Sequence, residues 1–333
     1  MNQSAQPEAT ADELGIHVRR GRIGIVGPAG AASQEVAARI HDFTGGVSRH
    51  VATTPADLGT GGDAAETLRG IRELDDHAGT DVVVVVGTAP SPAAARLVLD
   101  AAHASGTPVV VCLVGADAGT VADASTRGVD LHTRSKPAAL AAVVASGVDP
   151  ATLDLHALNW PLIEEVRALL SPAQREIRGY FTSGALCAEA LFLALETHPE
   201  AATNLVGTPA APVAATGALH GTVFLDLGEA GAAERARLLR EAAEDPAVGV
   251  VVVDFVLGAE PDPVGALAPA IVEAKAVATA QGRHFEVLGY VLGTDADEPS
   301  LATQADALVA TGATWASSAT NTGLLAREFV VKG

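Results

Sequence analysis

Gly179-Tyr-Phe-Thr-Ser-Gly-Ala-Leu-Cys-Ala-Glu-Ala190 reads as a short strand that passes through a small polar turn, Ser183-Gly184-Ala185, straight into a helix. The first N–H groups of an α-helix have no partner within the helix, and that end carries partial positive charge. A turn of Thr182, Ser183, Gly184 and Ala185 is therefore a candidate cradle for a phosphate or carboxylate, with Thr182 and Ser183 adding hydroxyl donors. The alternative is that one of these hydroxyls simply caps the helix. A second copy of the arrangement lies upstream, where Gly21-Arg-Ile-Gly-Ile-Val26 leads through Gly27-Pro-Ala-Gly30 and Ala31-Ala32 to a helix opened at Ser33. Gly30, Ala31, Ala32 and Ser33 are the matching candidates there, and two such helix starts in one chain suggest a shared anion site.

Outward from these two turns, apolar strand-like runs alternate with helical patterns, the signature of βαβ units on a parallel sheet. Strands are expected at 23–26, 47–51, 82–86, 109–113 and 129–132, with helices at 33–42, 65–78, 92–105 and 136–145. The unbroken valines of 82–86 and 109–111 fit strands buried on both faces. Between 147 and 178 the rhythm is interrupted by Asp149-Pro150, Trp160-Pro161 and Ser171-Pro172, with one amphipathic helix at 162–170. It then resumes with strands at 178–181, 223–227, 248–254, 285–291 and 314–316 and helices at 185–196, 230–243, 263–280, 300–310 and 321–330. The fold class expected is α/β: two doubly wound parallel-sheet domains, two copies of one fold. The expected divisions are a disordered tail at 1–20, a first domain at 21–146, an interdomain connector at 147–177 and a second domain at 178–333.

The chain has 333 residues, 48% of them hydrophobic, with 40 acidic against 21 basic residues and a formal charge of −19. That length supports two cores, and that charge repels nucleic acid and anionic membranes, so neither is an expected partner. A small anionic substrate is still admissible, because helix termini create local positive pockets. Residues 1–20 lack the basic start and apolar centre of a secretion signal, no stretch reaches membrane-span length, and two isolated cysteines make neither a disulfide framework nor a metal motif. A cytoplasmic location follows as an expectation. Cys112 reads as a core thiol; Cys187, near a helix start, is either packed or reactive, with packing favoured.

Gly24-x-x-Gly27-x-x-Gly30 after a strand superficially matches a dinucleotide fingerprint, but the acid that would bind ribose is missing at the end of the second strand, where Ala52-Thr53-Thr54-Pro55 precedes Asp57. Ser125-Thr126-Arg127 is too short a match to a carbamoyl-phosphate loop, and Gly128 reads better as a helix C-cap. The histidines show no i, i+4 pairing, so no metal site is expected. His50, near the end of the second strand, and Asp226 and Asp254, at strand ends of the second half, are the candidate catalytic side chains; packing and capping are their alternatives.

Gly24-Ile-Val26 through Gln34-Glu-Val36, Gly45-Gly-Val-Ser48, 182–190, Phe224-Leu-Asp-Leu-Gly228, Val256-Leu-Gly258 with Pro261-Asp-Pro263, and Gly293-Thr-Asp295 together resemble the FdrA-like family, related to the NDP-forming acyl-CoA synthetases such as succinyl-CoA synthetase. The resemblance implies two flavodoxin-like ligase domains of succinyl-CoA synthetase type, the first α-subunit-like and the second β-subunit-like, each contributing one helix start to a phosphate site. It implies phosphate or a nucleotide phosphate as the group handled, other subunits of an FdrA-type complex as partners, and oxamate carbamoyltransferase chemistry in ureide (allantoin) breakdown. The synthetases' CoA-binding and ATP-grasp domains have no counterpart, so CoA itself is not expected. The relay histidine is also missing, since only His132 falls in 116–136, and the loop after Leu227 is shortened to 228–231. A noncatalytic scaffold or regulatory subunit that binds a small anion or nucleotide is the other function consistent with these residues.

Overall fold

The structure is a computed structural model that describes residues 14–213, 219–228, 231–258 and 260–331. Two compact units divide the chain at Leu155 and His156. In the first, β1 (Arg20–Pro28), α1 (Ala31–Asp42), β2 (Val47–Thr53), α2 (Ala65–Asp75), β3 (Val82–Thr88), α3 (Pro92–Ala104), β4 (Val109–Val114), α4 (Ala118–Arg127), β5 (Asp130–His132) and α5 (Ser135–Ala145) follow in order. Its five strands run in the order β2-β1-β3-β4-β5, all parallel, with Ile25 registered between His50 and Val84. This is the flavodoxin-like order, and its switch point, where the chain reverses direction across the sheet, lies beside β1. Val82 to Val86 are all buried, as an unalternating strand covered on both faces requires.

The second unit contains α6 (Trp160–Leu169), β6 (Glu176–Phe181), α7 (Gly184–Leu195), β7 (Ala202–Thr203), β8 (Ala211–Pro212), β9 (Val223–Asp226), α8 (Ala232–Glu244), β10 (Val248–Val256), α9 (Pro263–Ala280), β11 (Glu286–Leu292), α10 (Leu301–Ala310), β12 (Thr314–Ala316) and α11 (Ala319–Val330). Its sheet order is β12-β11-β10-β6-β9-β7-β8, again all parallel. Taken from β9 to β12, five strands repeat the order of the first sheet. The two-residue strands β7 and β8 extend the β9 edge. They escape a sequence reading because runs that short carry no periodicity. Helix α4 lies outside the helices expected from the sequence, and Gly128, at φ 68° and in the left-handed region, closes it as expected of a C-cap.

Three expectations need correction. The supposed tail is structured from residue 14: Leu14, Ile16 and Val18 are buried, Gln34 Nε2 donates to the Leu14 carbonyl at 2.6 Å, and the Arg19 guanidinium donates to His41 O at 3.0 Å and Gly45 O at 3.1 Å. Alternating Leu14, Ile16 and Val18 was the available signal. Residues 1–13 of that tail, and Glu229 and Ala230 of the shortened loop, lie outside the described residues. The proposed connector is divided at Leu155; α6 buries Ile163 and Val166 in the second unit, where the Arg167 side chain reaches the Glu328 carbonyl at 2.7 Å and its carboxylate at 2.8 Å. Finally, α9 is one helix among the described residues long and apolar enough, by length and composition, to cross a membrane. Its Val264, Leu267, Ile271, Ala274 and Ala278 belong to the hydrophobic core of the second unit.

Candidate functional site

In the first unit the turn from β1 to α1 is built on Gly30, which stands at φ 103°, a conformation that side chains rarely adopt. A Cβ placed there would meet nothing within 4 Å, so the turn opens onto free space. No side chain caps α1, its first turn has no acidic residue, and the N–H groups of Ala31, Ala32 and Ser33 make no hydrogen bond among the described residues. The first backbone bond runs from Gln34 N to Gly30 O at 3.0 Å. Three unpartnered donors at a helix start with no local negative charge are what an oxyanion requires.

The Ser33 hydroxyl departs from expectation. It is fully buried, without a hydrogen-bond partner, and lies on the Gly27 side of the turn, where a Cβ on Gly27 would come within 2.8 Å of it. The residue as a whole is buried, so the partly exposed Ala31 and Ala32 carry the more accessible N–H groups of the turn while the Ser33 Oγ faces inward. His50, expected near the end of β2, sits mid-strand and buried, with Nε2 3.1 Å from the Gly27 carbonyl. That places it beneath the glycine turn, as a support for it. Asp57 accepts from Glu66 N at 3.0 Å, from Thr67 N at 2.9 Å and from Thr67 Oγ1 at 2.6 Å, so its carboxylate is committed to the start of α2. His132 is 3.0 Å from Asp130 within β5.

The second unit presents the same turn in a different chemical state. Ser183 is the N-cap of α7 and its Oγ accepts from Leu186 N at 3.5 Å. Asp254, wholly buried in β10, accepts from Thr182 N at 2.7 Å, from Ser183 N at 3.1 Å and from Thr182 Oγ1 at 3.1 Å. The donors assigned to phosphate at Thr182 and Ser183 are thus held by an internal carboxylate. Only the N–H groups of Gly184 and Ala185 are left without a partner among the described residues.

Asp226 closes the other side. A Cβ on Gly184 would lie 2.7 Å from Asp226 Oδ2. The carboxylate is fixed by Gly228 N at 3.0 Å, and its backbone is clamped by Asn204, which accepts from Asp226 N at 2.8 Å and donates to Asp226 O at 2.7 Å. Burial pushes the Cys187 thiol well up, and Asp226 and Asp254 push it further, so it is a protonated core thiol and not a nucleophile.

Behind Asp254 stands Arg235, which sequence reasoning missed. Its guanidinium is buried, 3.6 Å from the Asp254 carboxylate, donates to the Asp254 carbonyl at 2.5 Å and lies 5.1 Å over the Phe255 ring. Burial pushes the Asp254 carboxyl up, opposed by Arg235 and by the Thr182 and Ser183 donors. A signal existed for both residues: Arg235 shares the apolar face of α8 with Leu238, Leu239 and Ala242, and Asp254 interrupts a run of valines. Buried charges of this kind need partners.

Comparison with known proteins fits this architecture. The CoA-ligase family pattern matches residues 180–329, from the last residues of β6 to α11. Residues 180–329 are thus similar to the CoA-ligase family. The chain is 43% identical to the uncharacterized protein YahF of Escherichia coli (strain K12), over 96% of its own length and 64% of that protein's, so it spans about two thirds of that relative. Among solved structures, the dinucleotide-forming acetyl-coenzyme A synthetase 1 of Ca. Korarchaeum cryptofilum covers 93% of the chain, and the chain covers 65% of it, at 13% identity and a TM-score of 0.35. A GsuK channel covers 97%, with 70% of its own chain matched, at 13% identity and a TM-score of 0.40. Likenesses this loose carry no residue roles.

Proposed function

We propose that this chain is the phosphate-handling part of a cytoplasmic acyl- or carbamoyl-transferring enzyme, related to the acyl-CoA synthetases and working with partner subunits of an FdrA-type complex. The observation that carries the reading is the open start of α1, where Gly30 stands clear and the Ala31, Ala32 and Ser33 N–H groups converge without a capping side chain. Such a terminus favours an anion by about 0.3–1 kcal/mol when exposed and up to roughly 2 when partly buried. Charge-assisted N–H bonds to phosphate oxygens add to this. The group held is inorganic phosphate, the phosphate of carbamoyl phosphate or an acyl phosphate, or a nucleotide phosphate. In a phosphorolysis of oxalurate, a hydrogen-phosphate oxygen attacks the carbamoyl carbon, the C–N bond to oxamate breaks, and the proton lost by the phosphate passes to the departing nitrogen, giving carbamoyl phosphate and oxamate; the α1 donors orient the phosphate for that attack.

A noncatalytic scaffold or regulatory subunit is the second reading, favoured by the state of α7, whose turn is filled by the protein's own carboxylates. Assaying phosphorolysis of oxalurate with the chain alone, with its partner subunits, and with the Gly30→Val variant separates the two. Turnover that needs this chain and is lost in the variant supports the transfer role. Turnover that survives its omission or the substitution supports the scaffold.

A further inference from the structure

The two helix starts are alike in sequence and opposite in what surrounds them. At α1 three successive N–H groups are without partners among the described residues and the nearest carboxylate on the helix is Glu35, beyond the first turn, where it is 3.7 Å from Arg39 Nε. At α7 the two N–H groups preceding the helix are donated to Asp254, the Ser183 hydroxyl is turned back to Leu186 N, and Asp226 Oδ2 overhangs Gly184. An oxyanion brought to Gly184 and Ala185 would meet the Asp226 carboxylate, while Asp254, paired with Arg235 at 3.6 Å, already occupies the adjoining Thr182 and Ser183 donors, so the terminus has little attraction left to offer.

We infer that Asp254 is a built-in surrogate ligand of the α7 turn, so that the second unit excludes oxyanions and phosphate enters this chain only at α1. Asp254 is thus a specificity-determining residue: it completes the hydrogen bonding of the turn internally, and Arg235 behind it anchors the carboxylate in place. The α1 half of this statement rests on the proposed function. The α7 half stands on the Asp254 and Asp226 geometry alone.

Titrating inorganic phosphate into the whole chain while following backbone amide resonances tests both halves separately. Saturable shifts at Ala31, Ala32 and Ser33, with Thr182, Ser183, Gly184 and Ala185 unmoved, are expected. Saturable shifts at 182–185 in the unaltered protein overturn the inference. In Asp254→Asn, which removes the charge and keeps the shape, Gly184 and Ala185 are expected to gain a phosphate-dependent shift, with affinity at that turn rising about tenfold; no gain overturns the inference. Absence of shifts at 31–33 in the unaltered protein defeats the proposed function and leaves the Asp254→Asn arm to decide the α7 half. Should that variant not fold, hydrogen exchange in the unaltered protein decides. Thr182 and Ser183 amides protected like core strand positions support the surrogate ligand, and exchange as fast as an open loop refutes it.

Discussion

Thr320 Oγ1 donates to the buried carboxylate of Glu189 at 2.5 Å, tying the first turn of α11 to α7. The first unit has the same device: Ser135 Oγ, in the first turn of α5, donates to the buried Glu35 of α1 at 3.5 Å. In each unit a glutamate of the helix that follows the switch-point strand, β1 or β6, is thus held by a hydroxyl from the last helix. A buried carboxylate deprived of a donor costs about 1–3 kcal/mol. Thr320→Val, nearly isosteric, should therefore lower the stability of the chain by that amount, read as a lower urea midpoint, whereas Thr320→Ser should stay near the unaltered value.

Asp254→Ala should be among the most damaging single changes, because it leaves the Arg235 guanidinium buried without its carboxylate. Breaking a buried pair from one side costs about 3–5 kcal/mol. Arg235→Met combined with Asp254→Ala removes both charges and should recover a large part of the loss. Thermal melts of the single and double variants provide the cycle; additive losses would mean that the two residues do not act as a pair.

The same carboxyl gives a pH dependence with a definite sign. Burial raises Asp254 above its ordinary 3.8, so the folded chain holds that proton more tightly than the unfolded chain does. Its contribution favours folding most below the ordinary value and is lost as pH rises through the raised folded value. Denaturation midpoints of the unaltered protein and Asp254→Asn, compared across a pH series, should show the difference between them shifting against the unaltered protein over that window and levelling above it.

Lys136, in the first turn of α5, is pushed down to about 8 by burial and then by Arg39, against the opposing pull of Asp154, Glu35 and Asp42. Its penalty for charging is present below about 8 and relieved as pH rises from there toward 10.5. Competitive acylation of lysines at pH 8 should modify Lys136 faster than Lys275. Equal or slower modification, with a titration near the ordinary lysine value, would refute the assignment.

Gly30→Ala separates strain from space. The position is open, so no clash is added, but φ 103° costs a non-glycine residue about 1–3 kcal/mol. Stability should fall by that amount, and calorimetric phosphate affinity should fall further in Gly30→Val, where the side chain projects over the α1 donors.

The sequence by itself determined the layered architecture. Valine runs such as 82–86 and 250–253 can be stable only as strands buried on both faces, and their alternation with amphipathic segments leaves parallel βαβ units as the way to cover them. The strand at 314–316 and the helix at 263–280 were legible to the residue for this reason, and the two helix starts, expected at 33 and 185 and found at 31 and 184, were legible to within two residues. What it could not determine is which of the two turns is open. Asp254 lies 71 residues from Ser183 in the chain, and only the pairing of β10 beside β6 lays its carboxylate on the Thr182 and Ser183 N–H groups. Arg235 reaches that carboxylate from α8, and Asp226 reaches Gly184 from the end of β9. Local sequence sets a helix terminus and its dipole; whether a ligand or the protein's own side chain satisfies it depends on groups that come together only when the sheet is assembled.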